Sequence, residues 1–474
     1  MGFDYGNSSL QLTPNHWLRV INLFMPTLKK LYFFIGLVIL TSLLSGCETL
    51  SGLFPNRNQP VIEQSTVALQ SDITKHEFDL SSEQTLIGEL AAVESRENDT
   101  LPDIGRHFGL GYNDITAANA SVSAWTPRAN SRVLLPLQFI VPDAPRKGIV
   151  LNVANMRMFY YPKKQRNKVF TYPVGIGRDG WNTPMGTTSI AVKTPNPDWH
   201  VPPSIHREHA AKGHHLPSVV RSGPDNPLGF YAMRLAVGSY LIHGTNKPFG
   251  IGMQISHGCV QMYPEDIEVL FKKVAVGTPV FIVHDPYLTA WHDNMLYLEA
   301  NEPLENWARS KRQLKKQVSK ELSKIAKKHH ATIDWAKVDS VIDRANGIPT
   351  PVLVNSPEVE ALAKNAVELA HPEKLYGQPE MVTLTDADWA MLVATFNNEN
   401  DAQKLAAMLN HQGPPIPARK VEVNKSYQVV AGPFKNKKQA KDAASRIRFD
   451  FEIDPTLIEP RVNSPKSETL TSKL

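Results

Sequence analysis

The chain has 474 residues, of which 42% are hydrophobic and 20% charged, and its net charge is +5. The length suits about three domains of roughly 150 residues each, and the balance excludes wholesale disorder and a many-span membrane protein. The modest positive charge fits work near anionic glycan or lipid and argues against a nucleic-acid partner.

Lys29 and Lys30 precede an apolar run from Leu31 to Leu44, which ends in Leu44-Ser45-Gly46-Cys47. The run is short for a bilayer span, so residues 1–46 read as a signal peptide region, with an uncleaved anchor as the alternative. Met25, just ahead of the basic pair, is a second candidate start. Leu-Ser-Gly-Cys resembles the bacterial lipobox. That resemblance implies lipidation at Cys47 and a periplasmic protein held to a membrane; Glu48, which is not Asp, implies the inner face of the outer membrane. With Cys47 so used, Cys259 has no disulfide partner, and a lone thiol in an oxidising compartment points to reactivity.

Residues 47–85 are polar and aperiodic, as expected of a lipidated tether. Over 88–138, Asp99-Thr100 is placed to cap a short helix bearing Leu101, Ile104 and Phe108, and Asn113-Asp114 to open a second bearing Ile115 and Ala118. This pattern resembles a LysM module, implying a βααβ unit that binds N-acetylglucosamine-containing glycan strands.

Residues 147–284 read as mainly β: Ile149–Val153, Met156–Tyr161, Val169–Val174, Thr187–Val192, Tyr231–Leu235, Tyr240–His243 and Pro279–Val283 are short runs separated by Gly, Pro and Asn. One helix interrupts them, with Pro264 at its start and Ile267, Leu270, Phe271 and Val274 on one face. Residues 285–385 read as a helical basic linker region, in which Leu314, Val318, Leu322 and Ile325 make a stripe among lysines. That basic face is either simply solvated or in contact with anionic wall polymer or lipid. Over 386–463 the chain repeats at an offset of 38: Phe396 to Ala402 matches Phe434 to Ala440, and Leu405, Ala406 and Leu409 match Ala443, Ala444 and Ile447. Two strand-turn-helix halves predict a βαββαβ domain. Tyr427-Gln-Val-Val-Ala-Gly-Pro-Phe resembles a SPOR domain, implying recognition of denuded glycan strands at division sites; 464–474 is a tail. The fold expected overall is multi-domain α+β.

The chemistry concentrates between His243 and Met262, where His243-Gly244-Thr245 is followed by Ser256-His257-Gly258-Cys259-Val260-Gln261. A thiol with a pKa near 8.5 is little ionised at neutral pH and needs a base beside it. His243 and His257 are the candidates, and amides of the glycine-bearing turn can serve an oxyanion. The segment resembles the signature of the YkuD-type L,D-transpeptidases (the ErfK family), together with Tyr172-Pro-Val-Gly-Ile-Gly, Trp181-Asn-Thr-Pro-Met-Gly and Gly223-Pro-Asp-Asn-Pro-Leu-Gly. The resemblance implies Cys259 as nucleophile, His243 as proton acceptor and donor, and the Gly244 carbonyl as orienter of the imidazole. It implies that Ser256, His257 and Gly258 shape the oxyanion side of the cleft and that Gln261, Thr245 and Tyr231 contact substrate. Gln261 departs from the Arg or Asn of many members, which puts a carboxylate contact there in doubt.

The implied reaction forms a thioester with a peptidoglycan stem tetrapeptide, releases D-alanine, and passes the acyl group to a stem amine (a 3→3 cross-link), to the lysine of a wall-attached lipoprotein, or to water. No cofactor is expected. His206, His209, His214 and His215 raise a metal, but their proline-rich loop offers no carboxylate or thiol set to complete a site. The alternatives are a carboxypeptidase or murein hydrolase on the same fold, and a non-catalytic wall-binding scaffold.

Overall fold

The computed structural model describes residues 69–461 apart from 212, 214, 306–308, 379 and 381. The expected signal segment, lipidated Cys47 and the first part of the tether lie outside the described residues.

Thr100 caps helix α1 (Leu101–His107) by accepting from the Asp103 amide, and Pro102 sits in the first turn, where an N–H has no helical partner to lose. Leu101 and Ile104, with Ile115 of α2 (Tyr112–Ala118), seat both helices on the antiparallel strands Ala91–Glu94 and Arg132–Leu135. The βααβ order therefore forms. A third strand from far along the chain, Val367–Leu369, pairs in parallel with Ala91–Val93.

The main sheet has nine described strands, in the order Glu77–Asp79, Lys168–Pro173, Arg157–Tyr161, Gly148–Asn152, Pro279–Val283, Gly186–Pro195, Tyr231–Leu235, Leu241–His243 and Val260–Gln261. Between Gly186–Pro195 and Tyr231–Leu235 the chain leaves the sheet and makes α3 (Pro203–Ala211), whose buried side chain is Ile205. Helix α4 (Pro264–Lys273) starts on proline, carries Glu265 and Asp266 in its first turn and Lys272 and Lys273 in its last, and so complements its own dipole. Its Ile267 and Leu270 pack into a core of Ile149, Leu151, Ile242 and Val260. The first module touches this one backbone to backbone: Tyr112 N donates to Ile251 O at 2.8 Å, and a Cβ on Gly111 would stand 2.7 Å from Gly252 Cα.

Two expectations need correction. The tether was expected to run through residue 85, yet Glu77–Asp79 pairs with Lys168–Phe170 and forms an edge of the main sheet. Phe78 supplies the reason, since it is buried in the core that the sheet shares with the first module. The linker expected over 285–385 is a folded unit. The hairpin Tyr287–His292 and Met295–Ala300, extended by Thr350–Pro351, packs against α5 (Lys311–Lys328) and α6 (Trp335–Arg344) around Leu296, Leu298, Val318, Leu322, Val338 and Ile342. The lysine-flanked stripe is the buried face of α5.

The C-terminal domain forms as the repeat predicts. Its strands run in the order Ala418–Val423, Ser426–Phe434, Trp389–Phe396 and Thr456–Ile458, with α7 (Glu399–His411) and α8 (Lys437–Phe451) packed on the sheet. The repeat extends to the caps: Asn398 and Asn436 each accept from the amide three residues on. This domain docks on the loops of the main sheet and on α1. Gly413 N donates to Asn246 O at 2.7 Å, Lys247 pairs with Asp450 at 2.7 Å, Arg446 pairs with Asp225 at 3.3 Å, and His411 meets Asp103 of α1 at 2.5 Å.

Candidate active site

The strand Leu241–His243 is held between an antiparallel neighbour, Ala232–Arg234, and a parallel one, Val260–Gln261. Ile242 lies opposite Val260 and His243 opposite Gln261, so Cys259 falls opposite Leu241. Cys259 immediately precedes the strand Val260–Gln261 and its thiol makes a backbone hydrogen bond with Leu241, so parallel pairing brings Cys259 to the strand that carries His243, sixteen residues earlier in sequence. His243 is buried, and its Nδ1 lies 2.6 Å from the Gly244 carbonyl oxygen. A carbonyl only accepts, so Nδ1 carries the hydrogen and Nε2 keeps its lone pair. Burial pulls the imidazole down to about 4 against the opposing effect of that hydrogen bond. Cys259 is half-buried. Burial pushes its thiol up, and a backbone hydrogen bond with Leu241 works the other way. Both shifts favour the uncharged form of the group concerned.

The turn before the sulfur is built from its own side chains. Ser256 Oγ donates to Cys259 O at 2.6 Å and accepts from Gly258 N at 3.2 Å. The Gly258 amide is therefore used in shaping the turn. Gly258 has φ +97°, and a Cβ there would stand 2.7 Å from the Tyr240 ring, so only glycine fits. Thr183, which the sequence reading assigned no role, donates to Gly258 O at 3.1 Å and accepts from Gly177 N at 3.0 Å, tying the Trp181-Asn-Thr-Pro-Met-Gly run to the Cys259 turn.

His257 faces a cluster that sequence reasoning also missed. Its Nε2 lies 2.9 Å from Arg178 Nη2 and 2.9 Å from Glu208 Oε2, and the edge of the Trp181 ring meets its own at 4.9 Å. Arg178 Nη2 reaches both Glu208 oxygens, at 2.7 and 2.6 Å. Hydrogen bonds from Arg178 and His257 hold the Glu208 carboxyl down to about 2, so it is an anion throughout the working range. Arg178 closes the Gly-Ile-Gly run quoted above, which is a usable signal; Glu208 lies within the histidine-rich stretch and carries none.

The other sequence candidates divide. Gln261 exchanges two backbone hydrogen bonds with Gly175, and its buried Oε1 has no partner among the described residues. Thr245 is buried, and its hydroxyl accepts from Lys247 N, a turn-forming role. Tyr231 packs its ring on Phe271 of α4 at 4.8 Å, so that ring is spent on the core instead of the cleft. Of the four clustered histidines, His206 and His209 lie on α3, and His214 is outside the described residues. Among the described residues no group of three or more His, Cys, Asp or Glu gathers as a metal site would.

The profile of the YkuD L,D-transpeptidase catalytic domain matches residues 146–282, and that of the SPOR domain matches 385–459. The chain is 42% identical over 215 residues to the probable L,D-transpeptidase YcfS of Escherichia coli K12, covering 44% of this chain and 67% of that protein. It is 36% identical over 272 residues to the probable L,D-transpeptidase ErfK/SrfK of the same organism, covering 56% and 87%. It is 40% identical over 223 residues to YbiS, also a probable L,D-transpeptidase of that organism, covering 46% and 72%. The chain belongs to the L,D-transpeptidase family, with a SPOR domain at its C-terminal end.

Proposed function

We propose that the chain is a periplasmic, wall-associated peptidoglycan L,D-transpeptidase working through Cys259. The observation that carries this reading is His243, fixed in its Nδ1–H tautomer by Gly244 on the strand that pairs with the segment following Cys259. The thiol attacks the carbonyl joining the third stem residue to D-alanine. As the S–C bond forms, the sulfur's proton passes to His243 Nε2. The C–N bond then breaks and the same proton goes to the departing amine, leaving a thioester. An acceptor amine attacks next; His243 takes its proton, the C–S bond breaks and the sulfur is reprotonated. The shifts that favour uncharged forms suit this route, because charge separates only once substrate is in place.

The acceptor is a stem amine in the first instance, giving a 3→3 cross-link; a lipoprotein lysine or water gives attachment or trimming by the same steps. The βααβ unit is proposed as a glycan-binding LysM module, the SPOR domain as the second wall contact, and Cys47 as the lipid anchor at the outer membrane. Incubation of the full chain with muropeptide tetrapeptides tests the chemistry. D-alanine release with a mass increment on Cys259 supports it; neither signal from a folded protein rejects it. Dimeric or tripeptide products then separate transfer from hydrolysis.

A further inference from the structure

The Arg178, His257 and Glu208 cluster has no part in the proton transfers above, yet His257 stands two residues before Cys259 on the same turn. Arg178 N donates to Ser256 O at 2.9 Å, so the guanidinium rides on the turn that carries Cys259. Its Nη2 serves both oxygens of Glu208, while its Nε is buried and has no hydrogen-bond partner among the described residues. A guanidinium fork engages a carboxylate best through two nitrogens. Glu208 leaves half of that fork unused. Gln261 holds a neutral amide, whose buried Oε1 has no partner among the described residues.

We propose that Arg178 and His257 form the seat for a stem-peptide carboxylate next to the attacked carbonyl, and that Glu208 occupies this seat in the resting chain as an internal substitute. This inference rests on the reading under Proposed function. Substrate displaces Glu208 by using both Nε and Nη2 of Arg178. The helix that bears Glu208 is lightly attached: α3 has nine residues and buries Ile205, so moving it exposes little apolar surface. It also meets the C-terminal domain, where the ring of the adjacent residue, His209, stacks on Phe449 of α8 at 5.7 Å and 12°. Occupancy of the seat is thereby coupled to the position of the SPOR domain.

The test uses the full chain and three synthetic tetrapeptides: the free acid, the terminal carboxamide, and the carboxamide of the side-chain carboxyl on the third residue. Release of the fourth residue is followed for each. Arg178→Ala is expected to raise KM for the free acid roughly tenfold, the usual scale for losing a charge-assisted contact, with kcat little changed. It should leave KM unchanged for whichever amide has lost the seated carboxylate, which identifies that carboxylate; Arg178→Lys should recover part of the loss. Glu208→Gln should lower KM for the free acid, and Phe449→Ala should shift it the same way. Equal losses for acid and both amides, or a Glu208→Gln variant with raised KM or reduced kcat, would overturn the proposal in favour of a purely structural cluster. Calorimetric binding of the free acid to Cys259→Ala, with and without Arg178→Ala, reads the seat without chemistry. If the native chain releases nothing but this binding behaves as expected, the reaction assignment fails and the seat stands; if release occurs and the binding is insensitive to Arg178, only the seat fails.

Discussion

The carbonyl oxygen of Gly244 receives the Nδ1 hydrogen of the residue immediately before it, His243, at 2.6 Å. The bond fixes both the tautomer and the ring plane, a task that many enzymes assign to a distant carboxylate. A backbone acceptor brings no charge, so it steers the imidazole without raising its basicity much, and burial sets the pKa.

Removing either reacting group should silence the site while leaving the fold. Cys259→Ala abolishes D-alanine release, and His243→Asn lowers it by about 10²- to 10⁴-fold, the usual contribution of a positioned base. Circular dichroism and the midpoint of thermal unfolding check that the fold is retained.

The raised pKa of Cys259 predicts a sluggish thiol. Because burial raises the Cys259 thiol, iodoacetamide should alkylate it at pH 7 more slowly than it alkylates a cysteine peptide, with the rate climbing until above the ordinary thiol pKa. A rate plateau at or below pH 7 would instead indicate a preformed thiolate.

His243 also links stability to pH. Its folded pKa of about 4 lies below the ordinary 6.5, so between those values the unfolded chain binds more protons and stability rises with pH. The stability difference between the native chain and His243→Asn should fall by up to about 3 kcal/mol as pH drops from 7 to 4, then level off. Urea titrations at four or five pH values measure it; a flat difference contradicts the buried neutral imidazole.

Gly258 is expected to tolerate no side chain. Gly258→Ala forces alanine to φ +97° against the Tyr240 ring, at a cost of about 1–3 kcal/mol, and shifts the turn that aims Cys259. Loss of both stability and D-alanine release is the expected outcome. An alanine variant of native stability would show that the turn relaxes.

The contact between Asp103 and His411 is a buried latch between α1 and the C-terminal domain. Burial alone would raise the Asp103 carboxyl, but the His411 charge and hydrogen bond, with the Thr100 hydroxyl, outweigh it and lower the pKa. The Asp103 contribution is therefore complete above the ordinary carboxylate pKa and is lost on acidification through the lowered one. His411→Ala strands the carboxylate and should destabilise the docked arrangement by about 3–5 kcal/mol, seen by calorimetry as an earlier, separate transition of the C-terminal domain.

What the sequence disclosed was whatever is local or periodic. His243 and Cys259 stand within one glycine-punctuated segment, and the C-terminal domain shows itself twice, down to Asn398 and Asn436. Partners supplied by the fold from elsewhere gave less: Arg178 only follows a glycine-bearing run, and Glu208 gave no sign. Arg178 and Glu208 reach His257 across 79 and 49 residues, and neither lies in a pattern that one strand or helix imposes. Residues 285–385 misled because lysines crowd α5, while the hairpin that receives its stripe is short and the strand Thr350–Pro351 contains only two residues. Glu77–Asp79 misled for a similar reason: with three residues and one buried side chain it has no readable period.

The Gly413 to Asn246 hydrogen bond and the Lys247 to Asp450 pair fasten the SPOR domain three and four residues from the His243 imidazole. A glycan strand gripped by that domain would thus be presented to the sulfur at a fixed offset, like work clamped to the bed of a machine. Which stem along the strand gets processed would then be decided by the spacing of sugars between grip and sulfur.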